Sequence, residues 1–226
     1  MLHYLVTVAD PKGHYFDVRL QTRIPVEILQ GEGRNRWIDL TLPAWIPGSY
    51  LIREFSRNVL TVRGQINKSD VLCTRARKDC WRIEVDTALL GVRLLGTEQT
   101  DLLLECEWRV YAWDLSVRGA HLDETHGFFN GTSLFLCPHG MEHEPIGLTI
   151  SRPGENLKDW TVACGLQGGD EAVVAPRTGA QVAASADEAD PAVALLDQVF
   201  GHFPAGAEIV DPHARDIVAE AAGSDG

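Results

Sequence analysis

The 226-residue, 24.9 kDa chain is long enough to bury a proper core, as one domain with extensions or as two small ones. Its 45% hydrophobic and 23% charged residues are those of a globular protein, and a formal net charge of -12 lacks the basic footprint that nucleic acid or an anionic membrane surface requires. The N-terminus, MLHYLVTVADPKGHYF, has no basic start before an apolar run, and no segment approaches the ~20 apolar residues of a membrane span; a cytoplasmic location is expected.

In chain order, Tyr4, Val6 and Val8 alternate with polar neighbours until Asp10-Pro11-Lys12-Gly13 ends the run. Phe16, Val18, Leu20 and Ile24 form a second run, and after GEGRNR (31 to 36) come Ile38, Leu40 and Leu42. GEGRNR has neither the G-x-G-x-x-G spacing nor a following helix, so it reads as the turn of a hairpin or a connection between adjacent strands. LPAWIPGSYLIREFSRNV (42 to 59) begins as a strand end and must bend at Pro47-Gly48, which predicts a packed corner with an Arg–Glu pair or a ledge of aromatic and arginine groups.

Further strand patterns follow at Trp81, Ile83 and Val85; at Leu102, Leu104, Cys106, Trp108 and Val110; at Leu134 and Leu136; at Leu148 and Ile150; and at Trp160, Val162 and Cys164. In LLLECEWRVYAWD, Glu105, Glu107, Arg109 and Tyr111 lie opposite the apolar set, as in a central strand with one core face. Eight or so strands without a convincing helix predict a mainly β fold, a β-sandwich or curved antiparallel sheets.

The organisation divides near residue 166. All ten Trp and Tyr residues precede it, whereas residues 167 to 226 are rich in alanine, glycine and acid and carry nine of the twelve net negative charges. This tail is expected to be disordered or partly helical, with short helices starting at Asp190-Pro191 and Asp211-Pro212. Cys73, Cys80, Cys106, Cys137 and Cys164 are odd in number and contain no C-x-x-C pair, so they read as reduced, mostly buried thiols.

HLDETHGFFNG (121 to 131) gathers His121, Asp123, Glu124 and His126. A helical zinc pair of the H-E-x-x-H kind needs histidines four apart on one face. Here the spacing is five, and Gly127 and Asn130-Gly131 break any helix; Pro145 defeats His143-Glu144 in the same way. A facial set of His121, Asp123 and His126 on a loop is the alternative. Local hydrogen bonds bracing a turn are the preferred reading, with Asn130-Gly131 as a tight turn, and no metal ligand is assigned. No G-x-S-x-G elbow marks Ser133, at the start of its expected strand, as a nucleophile.

Three segments, HYLVTVADPKGHYFDV, LPAWIPGSYLIREFSRNV and YAWDLSVRGAHLDETHGFFNGTSLFL (111 to 136), in this order and spacing, resemble the N-terminal domain of the glycyl aminopeptidase family of zinc metallopeptidases. These are gluzincin-clan enzymes with a thermolysin-like catalytic domain and a C-terminal PDZ domain. The resemblance covers residues 1 to about 166 and implies a β-rich domain preceding the catalytic one. In that family the zinc ligands and catalytic glutamate lie downstream, so no catalytic residue and no cofactor are assigned to this chain, and zinc is implied only for the missing catalytic domain. The chain alone is expected to be inactive, and the acidic tail reads as a truncated or frame-shifted product, with a genuine short protein as the alternative.

The implied partner is that catalytic domain, whose cleft this one would wall, with a peptide as substrate. Trp45, Tyr50, Arg53, Trp113, Asp114, Arg118, His121, His126 and Phe128 are the exposed interface or substrate-side candidates, because aromatic and polar groups gather there without a strand pattern to bury them. The competing reading is a free-standing β-sandwich module that binds a peptide or sugar through the same ledge.

Overall fold

The computed structural model describes residues 1–46, 51–86, 101–151, 157, 160–163, 180–183 and 207–210. Its strands are β1 (Leu2–Asp10), β2 (Tyr15–Pro25), β3 (Gln30–Glu32), β4 (Asn35–Thr41), β5 (Val59–Ile66), β6 (Ser69–Val71), β7 (Cys73–Arg77), β8 (Cys80–Asp86), β9 (Asp101–Tyr111), β10 (Ala120–Leu122) and β11 (His126–Phe129). A four-residue helix, α1 (Gly131–Leu134), precedes β12 (Cys137–Pro138), β13 (Ile146–Ser151), β14 (Thr161–Ala163), β15 (Ala180–Ala183) and β16 (Ala207–Val210). The expected mainly β class is the observed one. The tail helices expected at Asp190 and Asp211 and the thiol of Cys164 lie outside the described residues.

Seven strands run in the order β15-β13-β1-β2-β9-β5-β6, with β1 and β13 parallel. A second sheet runs β12-β4-β8-β7 with β3 on β4, and a third runs β10-β11-β16-β14. The first two pack face to face: a Cβ added to Gly64 of β5 would stand 3.2 Å from Ile83 Cδ1 of β8. Between them the alternating apolar residues of β1, β2, β9, β4 and β8 form one buried cluster.

β9 is interior, between β2 and β5, and buries Leu102, Leu104, Cys106, Trp108 and Val110 as its alternation predicts. On its other face the register sets Asp17 opposite Arg109 and Arg19 opposite Glu107. Arg109 accordingly donates two hydrogen bonds to Asp17, at 2.6 and 2.7 Å, and Arg19 pairs with Glu107. These pairs are half-exposed, so they contribute little to stability and mainly fix register.

Three sequence expectations need correction. GEGRNR does not join the Phe16–Ile24 run to its neighbour: it turns β3 into β4, with Gly33 left-handed at φ 63°, and β2 and β4 belong to different sheets. Leu134 and Leu136 are buried but form no strand together, and Ser133 lies in a helix. Asn130 is no tight-turn residue: its Oδ1 accepts from the Thr132 N–H at 3.0 Å and caps α1. The hydroxyl of Tyr4 and Nε1 of Trp108 then donate to the carbonyls of Leu136 and Leu134, tying this segment to the main sheet. At the 42–59 corner, Glu54 pairs with Lys78 of the β7–β8 turn.

Among the described residues the thiols are free, three buried and Cys73 half-buried. Burial pushes the Cys73 thiol up to about 11. At pH 8 only about one thiol in a thousand is then ionised, against roughly a quarter for an ordinary cysteine. Native Cys73 is expected to alkylate about two orders of magnitude more slowly than in urea, and to gain reactivity as pH approaches 11. Peptide mapping after timed iodoacetamide labelling checks this, and equal native and unfolded rates would contradict it.

Candidate functional site

The sequence candidates fall on two loops and one hairpin. The first loop follows β4. In it Trp45 is 52% exposed and the Arg53 N–H donates to the Ala44 carbonyl at 2.7 Å, closing the bend. Tyr50 lies outside the described residues. Leu51 and Ile52, which sequence reasoning passed over, are 66% and 77% exposed.

The second loop joins β9 to β10. Asp114 holds its shape: Oδ1 accepts from the Ser116 N–H at 2.8 Å, and the Asp114 N–H donates to Ala120 at 3.0 Å. Gly119 presses so closely on this carboxylate that a Cβ there would stand 2.7 Å from Oδ2. Arg118 is half-buried, and its N–H donates to Ser116 Oγ at 3.3 Å. Trp113 is 53% exposed, with Leu115 at 71% and Val117 at 68%. The two loops are rooted at the same end of the main sheet, since Val59, which opens β5 after the first loop, pairs with Val110 near the end of β9, where the second begins.

The hairpin β10–β11 turns through Asp123, Glu124 and Thr125. Its register pairs His121 with Phe128, so His126, two residues before Phe128, lies on the same face as both. Trp113 bridges to His121, and the rings form a column: His14 to Trp113 at 3.8 Å between centroids, Trp113 to His121 at 4.8 Å, and His121 to His126 at 5.0 Å. His14 sits at φ 65°, a left-handed conformation uncommon outside glycine, with Nδ1 donating to the Leu122 carbonyl at 2.6 Å. Sequence reasoning missed His14 because strand patterning says nothing of a turn residue reaching a hairpin more than a hundred positions away.

His121 was expected on an exposed face and is instead 2% exposed, closed in by Trp113, His126 and Phe128. His126 and Phe128 are half-buried. Local hydrogen bonds brace the turn as expected: Asp123 Oδ1 accepts from the Thr125 N–H, the Thr125 hydroxyl and the His126 N–H at 2.7, 2.7 and 2.9 Å. Partial burial opposes ionisation of Asp123, but these bonds and the His121 contact outweigh it and hold the carboxyl well below the usual carboxylate range. Its folded pKa being depressed, the charge stabilises the hairpin at neutral pH and loses that effect only as pH falls through and below the ordinary carboxylate range.

His121 Nε2 lies 3.2 Å from Asp123 Oδ2, while its Nδ1 is buried with no hydrogen-bond partner. Leaving such a group unpaired costs about 1–3 kcal/mol. Glu124 turns away towards Lys12 at 3.4 Å. With no helix under the histidines and no glutamate beside them, these residues do not fit a thermolysin-type zinc centre.

A concave surface elsewhere, on the outer face of β2, β5 and β9, is lined by Asp17, Arg19, Arg63, Glu107 and Arg109 and includes none of the cluster. Among the described residues no helix is long and apolar enough to cross a membrane.

A family model for the peptidase M61 N-terminal domain matches residues 3–188. The crystal structure of an aminopeptidase N family protein from Idiomarina loihiensis is 30% identical, with a TM-score of 0.64 over 93% of this chain, and the match spans 29% of that structure's length. An M1 zinc metallopeptidase from Deinococcus radiodurans is 11% identical, with a TM-score of 0.42, over 72% of this chain and 33% of its own. Legionella pneumophila aminopeptidase A, in complex with aspartic acid, is 9% identical, with a TM-score of 0.43, over 72% and 17%. No curated protein matches the chain.

Proposed function

The chain belongs to the peptidase M61 N-terminal domain family, and from that premise we propose that it packs on the catalytic domain of a glycyl-aminopeptidase-like zinc metallopeptidase and walls one side of its cleft. One observation carries this reading: Ile52, Leu51, Leu115 and Val117 are about two-thirds exposed or more, on two loops rooted at the same end of the main sheet. Singly exposed apolar residues need no explanation, but such a grouping marks a surface that another protein covers. The match to less than a third of the Idiomarina loihiensis structure supports a role as one domain of a larger enzyme.

On this reading the apolar loop tips make the contact, while Trp113, His126 and Phe128 face the substrate side. Zinc and the groups that activate water belong to the catalytic domain. This chain contains no H-E-x-x-H, and its residues do not supply that centre. Its contribution is to exclude water from one side of the cleft and to orient a peptide against an aromatic surface. We place the domain at residues 1–166, with two strands of the acidic segment that follows, Ala180–Ala183 and Ala207–Val210, added to its sheets.

The isolated chain is expected to hydrolyse glycyl and alanyl arylamides no faster than buffer, with or without added zinc. Zinc-dependent turnover that copurifies with the chain would overturn the non-catalytic assignment. Saturable binding of a peptide or sugar by a monodisperse monomer that ignores catalytic domains would instead favour a free-standing binding module.

A further inference from the structure

We propose that the β10–β11 turn binds one divalent transition-metal ion through His121, Asp123 and His126, a site distinct from the zinc of a peptidase catalytic domain and independent of the docking role. One ligand atom from each of the three residues lies within 4.8 Å of the others. The hairpin produces this meeting. Pairing of His121 with Phe128 brings His126 diagonally onto the same face, and the three-residue turn lifts Asp123 between them.

The spacings suit an ion. A tetrahedral zinc holding nitrogen and oxygen at about 2.0–2.2 Å keeps its ligands about 3.4 Å apart. His121 Nε2 and Asp123 Oδ2 are separated by 3.2 Å, and His126 Nδ1, which also meets the Thr125 hydroxyl at 2.9 Å, lies 3.5 Å from the other carboxylate oxygen, Oδ1, so the carboxylate would turn one oxygen or both to the ion. The carboxylate is already oriented, since three local donors hold Oδ1 and leave Oδ2 with the His121 contact.

A second, independent observation is the state of His121. The ring is buried, and in either tautomer one of its nitrogens is unsatisfied, because Nε2 has Asp123 and Nδ1 has nothing. An ion between Nε2 and Oδ2 takes the place of that hydrogen bond and leaves the ring proton on Nδ1. Two imidazoles and one carboxylate favour zinc, nickel, copper or cobalt over calcium or magnesium, which prefer all-oxygen cages. Trp113 and Phe128 flank His121 and supply the apolar wall that limits solvent access. Three protein ligands leave one position for water or an outside donor.

The test uses the full chain, stripped with chelator and titrated with Co²⁺ and then Zn²⁺. One ion per chain is expected, giving the visible absorption of nitrogen- and oxygen-ligated Co²⁺ without a thiolate charge-transfer band, and displaced by Zn²⁺. His126→Ala and Asp123→Asn should each weaken binding at least about tenfold, while His139→Ala, which alters another acid-paired histidine, should not. Zinc should raise the melting temperature of the wild type and not that of His126→Ala. Substoichiometric binding to the wild type, a thiolate band, or undiminished affinity in whichever of the two variants folds would each overturn the proposal.

Discussion

Replacing Trp108 by alanine is expected to remove about 3–5 kcal/mol of stability, the largest loss of any single substitution considered. Trp108 is 2% exposed at the middle of the interior strand β9, edge-on to Tyr4 at 6.5 Å, and its Nε1 donates to the Leu134 carbonyl at 2.8 Å. Alanine leaves a cavity too large for the close-packed sheets to refill and orphans that buried carbonyl. Against a total of about 5–15 kcal/mol for a domain, this is a large share. Trp108→Phe keeps most of the volume and loses the hydrogen bond, so a smaller cost of about 1–2 kcal/mol is expected. Urea unfolding followed by circular dichroism checks both: the midpoint should fall with the slope unchanged. Equal losses for the two variants would show that packing at this site matters less than the bond.

Ile52→Asp combined with Leu115→Asp is expected to do the reverse, leaving the fold intact and destroying association. Both side chains are more than two-thirds exposed, so each change should alter the chain's own stability by no more than about 0.5 kcal/mol. At the centre of an apolar interface, a buried unpaired carboxylate costs at least about 2 kcal/mol, some thirtyfold in affinity for each substitution. The isolated double variant should also be less prone to aggregate than the wild type, measurable by light scattering at matched concentration. Unchanged affinity for a catalytic domain would remove these loops from the interface.

The strands with clean apolar alternation were legible from sequence: β1, β2, β4, β8 and β9 each set an apolar residue at every second position against the opposing sheet, although Asp39 of β4 and Cys80 of β8 are buried between or beside them. β5 was not, because the register shift between Val59 and Val62 breaks its period and Gly64 occupies a core position without a side chain. β7 escaped notice for a different reason: at the sheet edge, four of its five residues are exposed and carry no apolar signal. The β5–β6 turn places Asn67 and Lys68 at φ 50° and 68°, where the sequence offers no glycine to announce a tight hairpin.

The candidate site was legible in composition but not in arrangement. A spacing of five between His121 and His126 is wrong for a helix, and the sequence rightly excludes that zinc motif. In a hairpin the same spacing returns the chain to the same face, and only the register shows it. Burial of His121 likewise depends on Trp113 folding back across the end of β9, a contact that strand periodicity does not encode.

The most direct test of the docking role is hydrogen exchange on this chain mixed with the segment of the Idiomarina loihiensis relative that lies beyond its matched part. The account predicts a saturable one-to-one complex in which the amides of 51–58 and 112–119 gain protection, and which Ile52→Asp with Leu115→Asp abolishes. Absence of a complex, or protection confined to the charged outer face of β2, β5 and β9, would contradict it.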